Sequence, residues 1–194
     1  MPNRGPARTI LFIGISGSGK GTQAAKLISA LGSAYYLEIG RRVREYVGKR
    51  TIGGRIITRT TTRGELIPTW ALLSLIGHEF LRRVPDGANI VADGTPRRLA
   101  EAKLWDRIMS DANRTLPHAI YLTLSERAAM RRLLDRGRNT DDRPAAIRRR
   151  FAYFRREVLP VVSYFRRHRR LITVNGDQSR EEVWRDIKKA LGLR

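Results

Sequence analysis

The stretch Gly14-Ile15-Ser16-Gly17-Ser18-Gly19-Lys20-Gly21-Thr22 admits few folds. It follows an apolar run, Thr9 to Ile13, and precedes the helical pattern Gln23-Ala24-Ala25-Lys26-Leu27, so the local order is strand, glycine-rich loop, helix. Glycines let the backbone turn tightly and bring its N–H groups against phosphate oxygens, while the helix points its positive end at the same anion. Lys20 adds a mobile cation for the β and γ phosphates. The spacing from Gly14 to Lys20 fits a P-loop, with Gly21 where most such loops carry Ser or Thr for magnesium and Thr22 one residue later. An ordinary glycine-rich turn would require neither the lysine nor this spacing.

At 194 residues without a cysteine, the chain suits one compact α/β domain over 1–194, with no disulfide or thiolate metal site. His78, His118 and His168 are scattered without ligand spacing, so no metal is assigned to direct protein ligation. No apolar run approaches the length of a membrane span, and the N-terminal one passes straight into Gly-Ser-Gly-Lys, as a first strand would. A cytoplasmic protein is expected. The net charge is +21, and lysine occurs only at positions 20, 26, 49, 103, 188 and 189, so arginine carries most of it. Such a field attracts phosphates, from nucleotides to RNA and other polyanions, in a salt-sensitive way.

Further strands are read at 34–37, 88–92, 119–124 and 171–174, giving a five-stranded parallel sheet between helices. The third strand ends in Asp93-Gly94-Thr95-Pro96-Arg97. Functional groups in such sheets gather at the carboxyl ends of strands, where an acid can hold the waters of a magnesium ion bridging phosphates. Gly53 and Gly54 precede a short helical candidate. Thr69 opens a helix whose Trp70, Leu72, Leu73, Leu75, Ile76, Phe80 and Leu81 are spaced for one buried face. Ser125 is a candidate N-cap, and Ser179 with Glu182 a capping box. Arg132 and Arg136 share a helix face, and a helix from Ala145 to about Arg169 is expected to kink at Pro160.

Taken in order, these segments resemble the adenylate kinases and related nucleoside monophosphate kinases, from Ile10 to Leu191. Gly-Lys-Gly-Thr-Gln is the form of the loop in that family. The resemblance implies that Gly17, Ser18, Gly19, Lys20, Gly21 and Thr22 hold ATP. It aligns Glu38-Ile39-Gly40-Arg41 with a Ser-Thr-Gly-Asp segment, with Ile39 in place of threonine and Arg41 in place of aspartate, and makes Arg44 the arginine that grips the acceptor phosphate. Leu66 and Ile67 close around the acceptor base. Asp93, Gly94 and Arg97 match Asp-Gly-Phe-Pro-Arg, with Thr95 replacing the aromatic residue; Asp93 acts through water on Mg2+, and Arg97 contacts phosphate. Glu101 stands where the family places a glutamine that reads the adenine edge. A carboxylate accepts from the adenine amino group without donating to the ring nitrogen, and could instead accept from guanine. Arg132 and Arg136 match the arginines of the donor site, and Arg138 and Arg150 flank a short lid at 137–149 in which Asp141 and Asp142 pair with arginine. Residues 38–68 form the acceptor-binding insertion.

The implied reaction is reversible transfer of the γ-phosphoryl of Mg-ATP to a nucleoside monophosphate, most simply AMP, by a monomer. The catalytic set is Lys20, Arg97, Arg132, Arg138 and Arg150. Two other readings stay open: a kinase acting on another monophosphate such as GMP, and a P-loop module that binds structured RNA.

Overall fold

The computed structural model describes residues 7–137 and 143–193. Its spine is β1 (Thr9–Gly14), of which the first five residues are buried. A parallel strand covered on both faces must be apolar along its whole length, which is why Ile10-Leu11-Phe12-Ile13 does not alternate. β1 pairs with β3 (Asn89–Asp93) on one side and β4 (His118–Thr123) on the other. β2 (Ala34–Glu38) and β5 (Leu171–Asn175) form the edges, so the order is β2-β3-β1-β4-β5 and every pairing is parallel. From β1 the chain crosses to the β2 edge, returns to β3, and then passes over β1 to β4 on the other side. That reversal opens a crevice at the strands' carboxyl ends. The glycine loop and Asp93 both lie there, since Phe12 is level with Asp93.

Helices cover both faces. α1 (Lys20–Leu31) and α9 (Arg180–Leu191) pack on the side of Phe12, Ile120 and Leu122 through Leu27 and Ile187. α4 (Thr69–Arg82), α5 (Leu99–Asp111) and α8 (Leu159–Arg167) cover the other face, where Leu11, Ile13, Leu37, Ile76, Trp105 and Phe165 form the larger core. Trp105 is fully buried, edge-on to Phe80 at 5.3 Å. α2 (Ile39–Arg44) and α3 (Ile52–Thr62) fall within 38–68, and α6 (Glu126–Arg136) and α7 (Pro144–Tyr153) lie on either side of the lid segment. Both predicted caps form: Ser125 Oγ accepts from Ala128 N at 3.2 Å, and Ser179 and Glu182 exchange bonds at 2.9 and 3.3 Å. Among the described residues no helix is long and apolar enough to cross a membrane.

Three local expectations change. Gly53 and Gly54 lie inside the first turn of α3, capped by Thr51, and a Cβ at Gly54 would come within 2.4 Å of the Lys49 carbonyl oxygen, so the backbones touch there. On α4, Trp70 and Leu81 point outward, 55% and 85% exposed, while Glu79 is buried in the stripe with Leu72 and Ile76. The long helix after the lid is broken by a π-helical turn at Phe154–Val158 rather than simply kinked. Pro160 has no N–H to donate four residues back, and the preceding amide of Leu159 bonds five residues back, to the Phe154 carbonyl.

Glu79 is buried because three side chains meet it. It accepts from the Tyr35 hydroxyl and from Arg42, Nε at 2.9 Å and Nη2 at 3.1 Å, with Arg83 at 3.7 Å. The cluster ties α2 to β2 and α4, and so fixes the start of the 38–68 segment against the core. Removing Glu79 leaves the nearly buried Arg42 guanidinium with only the more exposed Glu45 carboxylate, at 2.9 Å, and the Tyr35 hydroxyl without its acceptor, which is costly. Glu79→Ala is therefore expected to lower unfolding free energy by about 3 kcal/mol in urea titrations.

Candidate active site

The glycine loop is shaped by two residues in the left-handed region, Gly17 at φ 87° and Gly19 at φ 92°. A Cβ on Gly17 would stand 3.1 Å from the Ala129 carbonyl and 3.2 Å from Leu133 Cγ, so α6 presses directly on the loop. Ser18 is buried, and among the described residues its hydroxyl has no hydrogen-bond partner. Lys20 curls back over its own loop and donates to the carbonyls of Gly14 at 2.9 Å and Ile15 at 3.0 Å. Its pKa is lowered to about 8 by burial, with the positive charges of Arg97 and Arg136 acting in the same direction and Asp93 opposing them. Gly21 and Thr22 are exposed on the first turn of α1.

Asp93 closes β3 beneath that turn. A Cβ on Gly21 would sit 3.4 Å from Asp93 Oδ2, and Asp93 Oδ1 is buried without a hydrogen-bond partner among the described residues. Burial raises the Asp93 carboxyl above its usual range, while Lys20 and Arg97 pull it down and Glu38, level with it on β2, pushes it up. A buried carboxylate with an unused oxygen beside the loop fits a hydrated divalent cation: it offers an acceptor to a metal-bound water without a crowded shell of direct ligands.

On the other side of Asp93 lies a cleft of about 800 Å³. Its walls include Ile39, Gly40 and Arg44 from α2, Leu66 and Ile67 from the next loop, Gly94 and Arg97 after β3, and Arg136 and Arg150. A smaller hollow on the loop side is lined by Gly14, Ser16 and Lys20, and shares Gly94, Arg97, Arg150 and Tyr153 with the cleft. The two spaces thus meet at a wall of arginine. Arg97 donates to the Tyr153 hydroxyl at 3.3 Å; the Tyr153 oxygen beside it and the carboxylates of Glu101 and Asp93 strengthen its hold on its proton against the effect of burial. Arg44 donates to Glu38 at 2.8 Å. Arg132 turns toward the β5–α9 loop, donating to the Gly176 carbonyl at 2.9 Å with Asp177 at 3.6 Å, and lines neither space. Arg138, Asp141 and Asp142 lie outside the described residues.

Glu101 does not line the cleft. It is fully buried at the start of α5, accepting from the Arg97 backbone N–H at 2.7 Å and the Thr95 hydroxyl at 3.1 Å, while Trp105 Nε1 donates to Thr95 at 3.3 Å. Its second oxygen has no partner among the described residues, and burial raises its carboxyl. In this arrangement Glu101 braces the turn that presents Arg97. Tyr153 and Arg98 were missed in the sequence. Tyr153 stands three residues after Arg150 on α7, a spacing that could have flagged it. Arg98 donates to the Ile67 carbonyl at 3.0 Å and so staples the loop that forms that wall of the cleft; nothing in the sequence marks that contact.

The sequence profile of adenylate kinases matches residues 12–170. The chain belongs to the adenylate kinase family. It is 33% identical over 189 residues to the adenylate kinase of Thermus thermophilus, covering 96% of this chain and 98% of the relative. Adenylate kinase 2 of Nostoc is 35% identical over 183 residues, covering 94% and 97%, and a Prochlorococcus marinus adenylate kinase is 31% identical over 182 residues, covering 94% and 97%. The match spans both spaces, from the glycine loop to the β5 edge.

The depressed pKa of Lys20 has a measurable consequence. A polyphosphate beside the amine favours its charged form and moves the pKa back up, so above about pH 8 binding must take up a proton. ATP affinity is expected to be flat below that pH and to weaken as pH rises through it. Calorimetric titrations near pH 9 in buffers of different ionisation enthalpy should detect the uptake, and Lys20→Met should abolish it.

Proposed function

We propose that this family member is an adenylate kinase that transfers the γ-phosphoryl of Mg-ATP reversibly to AMP, giving two ADP. The observation that supports this reading most is the shared wall: a phosphate loop with its lysine on one side, an acceptor-sized cleft on the other, and Arg97 and Arg150 bordering both. No protein nucleophile is needed, because an acceptor phosphate oxygen attacks directly and catalysis consists of positioning and charge neutralisation.

The roles we assign are as follows. Gly17, Ser18, Gly19, Gly21 and Thr22 wrap the donor phosphates with main-chain amides, and Lys20 exchanges its two carbonyls for the β and γ oxygens. Arg44 and Arg97 hold the acceptor phosphate, and Ile39, Gly40, Leu66, Ile67 and Gly94 shape the cleft around its nucleoside. Arg150, with Arg138 and Arg136, closes over the transferring group and excludes water. Arg132 orders the Gly176 loop on the donor side. Asp93, through its unused oxygen, would hold the waters of magnesium, which supplies charge neutralisation across the β and γ phosphates when bound. The base preference rests on the walls of the cleft rather than on Glu101, whose carboxylate is engaged by the Arg97 turn. A cytoplasmic monomer is the setting we assign, since the substrates are soluble nucleotides.

The test is ADP formation from Mg-ATP with AMP, GMP, CMP, UMP or no acceptor. AMP is expected to give the fastest turnover, and Lys20→Ala to cut kcat on the order of 10²- to 10³-fold with an unchanged circular dichroism spectrum. Turnover that ignores the acceptor would overturn the reading, and so would a fully active Lys20→Ala protein. Tight, steeply salt-dependent RNA binding without monophosphate-dependent turnover would return the chain to the nucleic-acid class.

A further inference from the structure

Glu38 ends β2 and is the N-cap residue of α2, yet its side chain caps no backbone N–H. The acid usual at that position is the shorter aspartate, which turns onto the free amides of the first turn. This one turns instead to Arg44, with Oε1 2.8 Å from Nη2. The pair stands over Gly40: a Cβ there would lie 3.2 Å from Arg44 Nη1 and 4.0 Å from Glu38 Oε1. Gly40 and Arg44 are cleft wall, so the ion pair sits at the acceptor space and not on a remote surface. The two side chains are 33% and 54% exposed, so both can move. Glu38 is also level with Asp93 across the β2–β3 pairing, which sets two carboxylates side by side at the strand ends.

We propose that Glu38 is an internal competitor for the acceptor phosphate, setting how tightly this enzyme takes its monophosphate. The inference rests on the reading of Arg44 as the group that grips that phosphate. Without acceptor, the Glu38 carboxylate occupies the guanidinium. A monophosphate dianion brings more charge and three oxygens, and displaces it. Displacement costs twice: the ion pair is broken, and the freed carboxylate is left beside the anion that replaced it, with Asp93 on its other flank. A neutral residue at position 38 would impose neither cost. Glu38 is thus an affinity-determining residue that acts through Arg44.

The test is Glu38→Gln, which removes the charge and keeps the length. AMP is titrated calorimetrically into metal-free protein at low ionic strength, and steady-state rates are measured with AMP varied. Both Kd and KM for AMP are expected to fall about three- to tenfold, the KM for ATP to hold, and the gain to shrink as salt screens the pair. Arg44→Met should weaken AMP binding, and adding Glu38→Gln to it should change Kd by less than about twofold, because the competition has lost its object. If Arg44→Met weakens AMP while Glu38→Gln leaves Kd unchanged or raises it, the competitor role is overturned and the function stands. An equal gain in both backgrounds also overturns it, by showing repulsion that does not pass through Arg44. If Arg44→Met leaves AMP binding intact, the acceptor assignment itself fails, and the inference with it. Should Glu38→Gln lose its thermal transition, Glu38→Asp, whose shorter arm loosens the pair, must move Kd in the same direction.

Discussion

A buried ammonium closing the loop it belongs to is the contact on which this molecule turns. Lys20 is held by the carbonyls of Gly14 and Ile15, which are available only because Gly17 and Gly19 carry the chain through conformations closed to other residues. The loop can be held in place because β1 is gripped by strands on both sides, and α6 packs on it at Gly17. The sheet, the loop and α6 thus act as one rigid support, and the lysine's position follows from it. Its partners are main-chain oxygens rather than an acid, so a phosphate can replace them without stranding a buried carboxylate.

Around that ammonium the chain collects charges that would not tolerate each other in isolation. Arg97 and Arg136 add to the cost of protonating the Lys20 amine, and Asp93 and Glu38 stand level on adjacent strands. Each excess is of the sign that a nucleotide, or the cation that travels with it, relieves. Elsewhere charge is settled within the protein. Arg170 meets Asp106 with two nitrogens, at 2.7 and 2.6 Å, and anchors the start of β5 to α5, while Arg42 is settled by Glu79. Some arginines therefore hold the fold, while others face the two hollows.

The parts of this arrangement legible in the sequence are those whose physics is local. A glycine loop between an apolar run and a helix announces itself, and so do Asp93 at the end of a strand and the caps at Ser125 and Ser179. Leu66, Ile67, Gly94 and Arg97 could be gathered only by resemblance, because nothing within their own segments says that they share a cleft. Pairings across the fold stayed hidden. Glu79 reads as the polar interruption of an apolar stripe until Arg42 and Tyr35, contributed by α2 and β2, are seen beside it. Glu101 reads as a group for the substrate until the Thr95 hydroxyl and the Arg97 amide are found on its carboxylate. Trp70 and Leu81 were misread for the opposite reason, since helical spacing cannot say how wide a face its neighbours will cover.

The π-helical turn at Phe154–Val158 also sets the angular relation between the two ends of one long rod. A wider turn of this kind amounts to one residue inserted into an α-helix, and one residue is about 100° of rotation. Beyond it, Val161 and Phe165 fix α8 to the core; before it, Arg150 and Tyr153 line both the cleft and the smaller hollow. With a continuous α-helix through the same stretch, α7 would be rotated by that angle and the wall shared by the two hollows would face elsewhere. The irregular turn is thus a phase shifter, letting one rod serve the hydrophobic core at one end and the phosphates at the other.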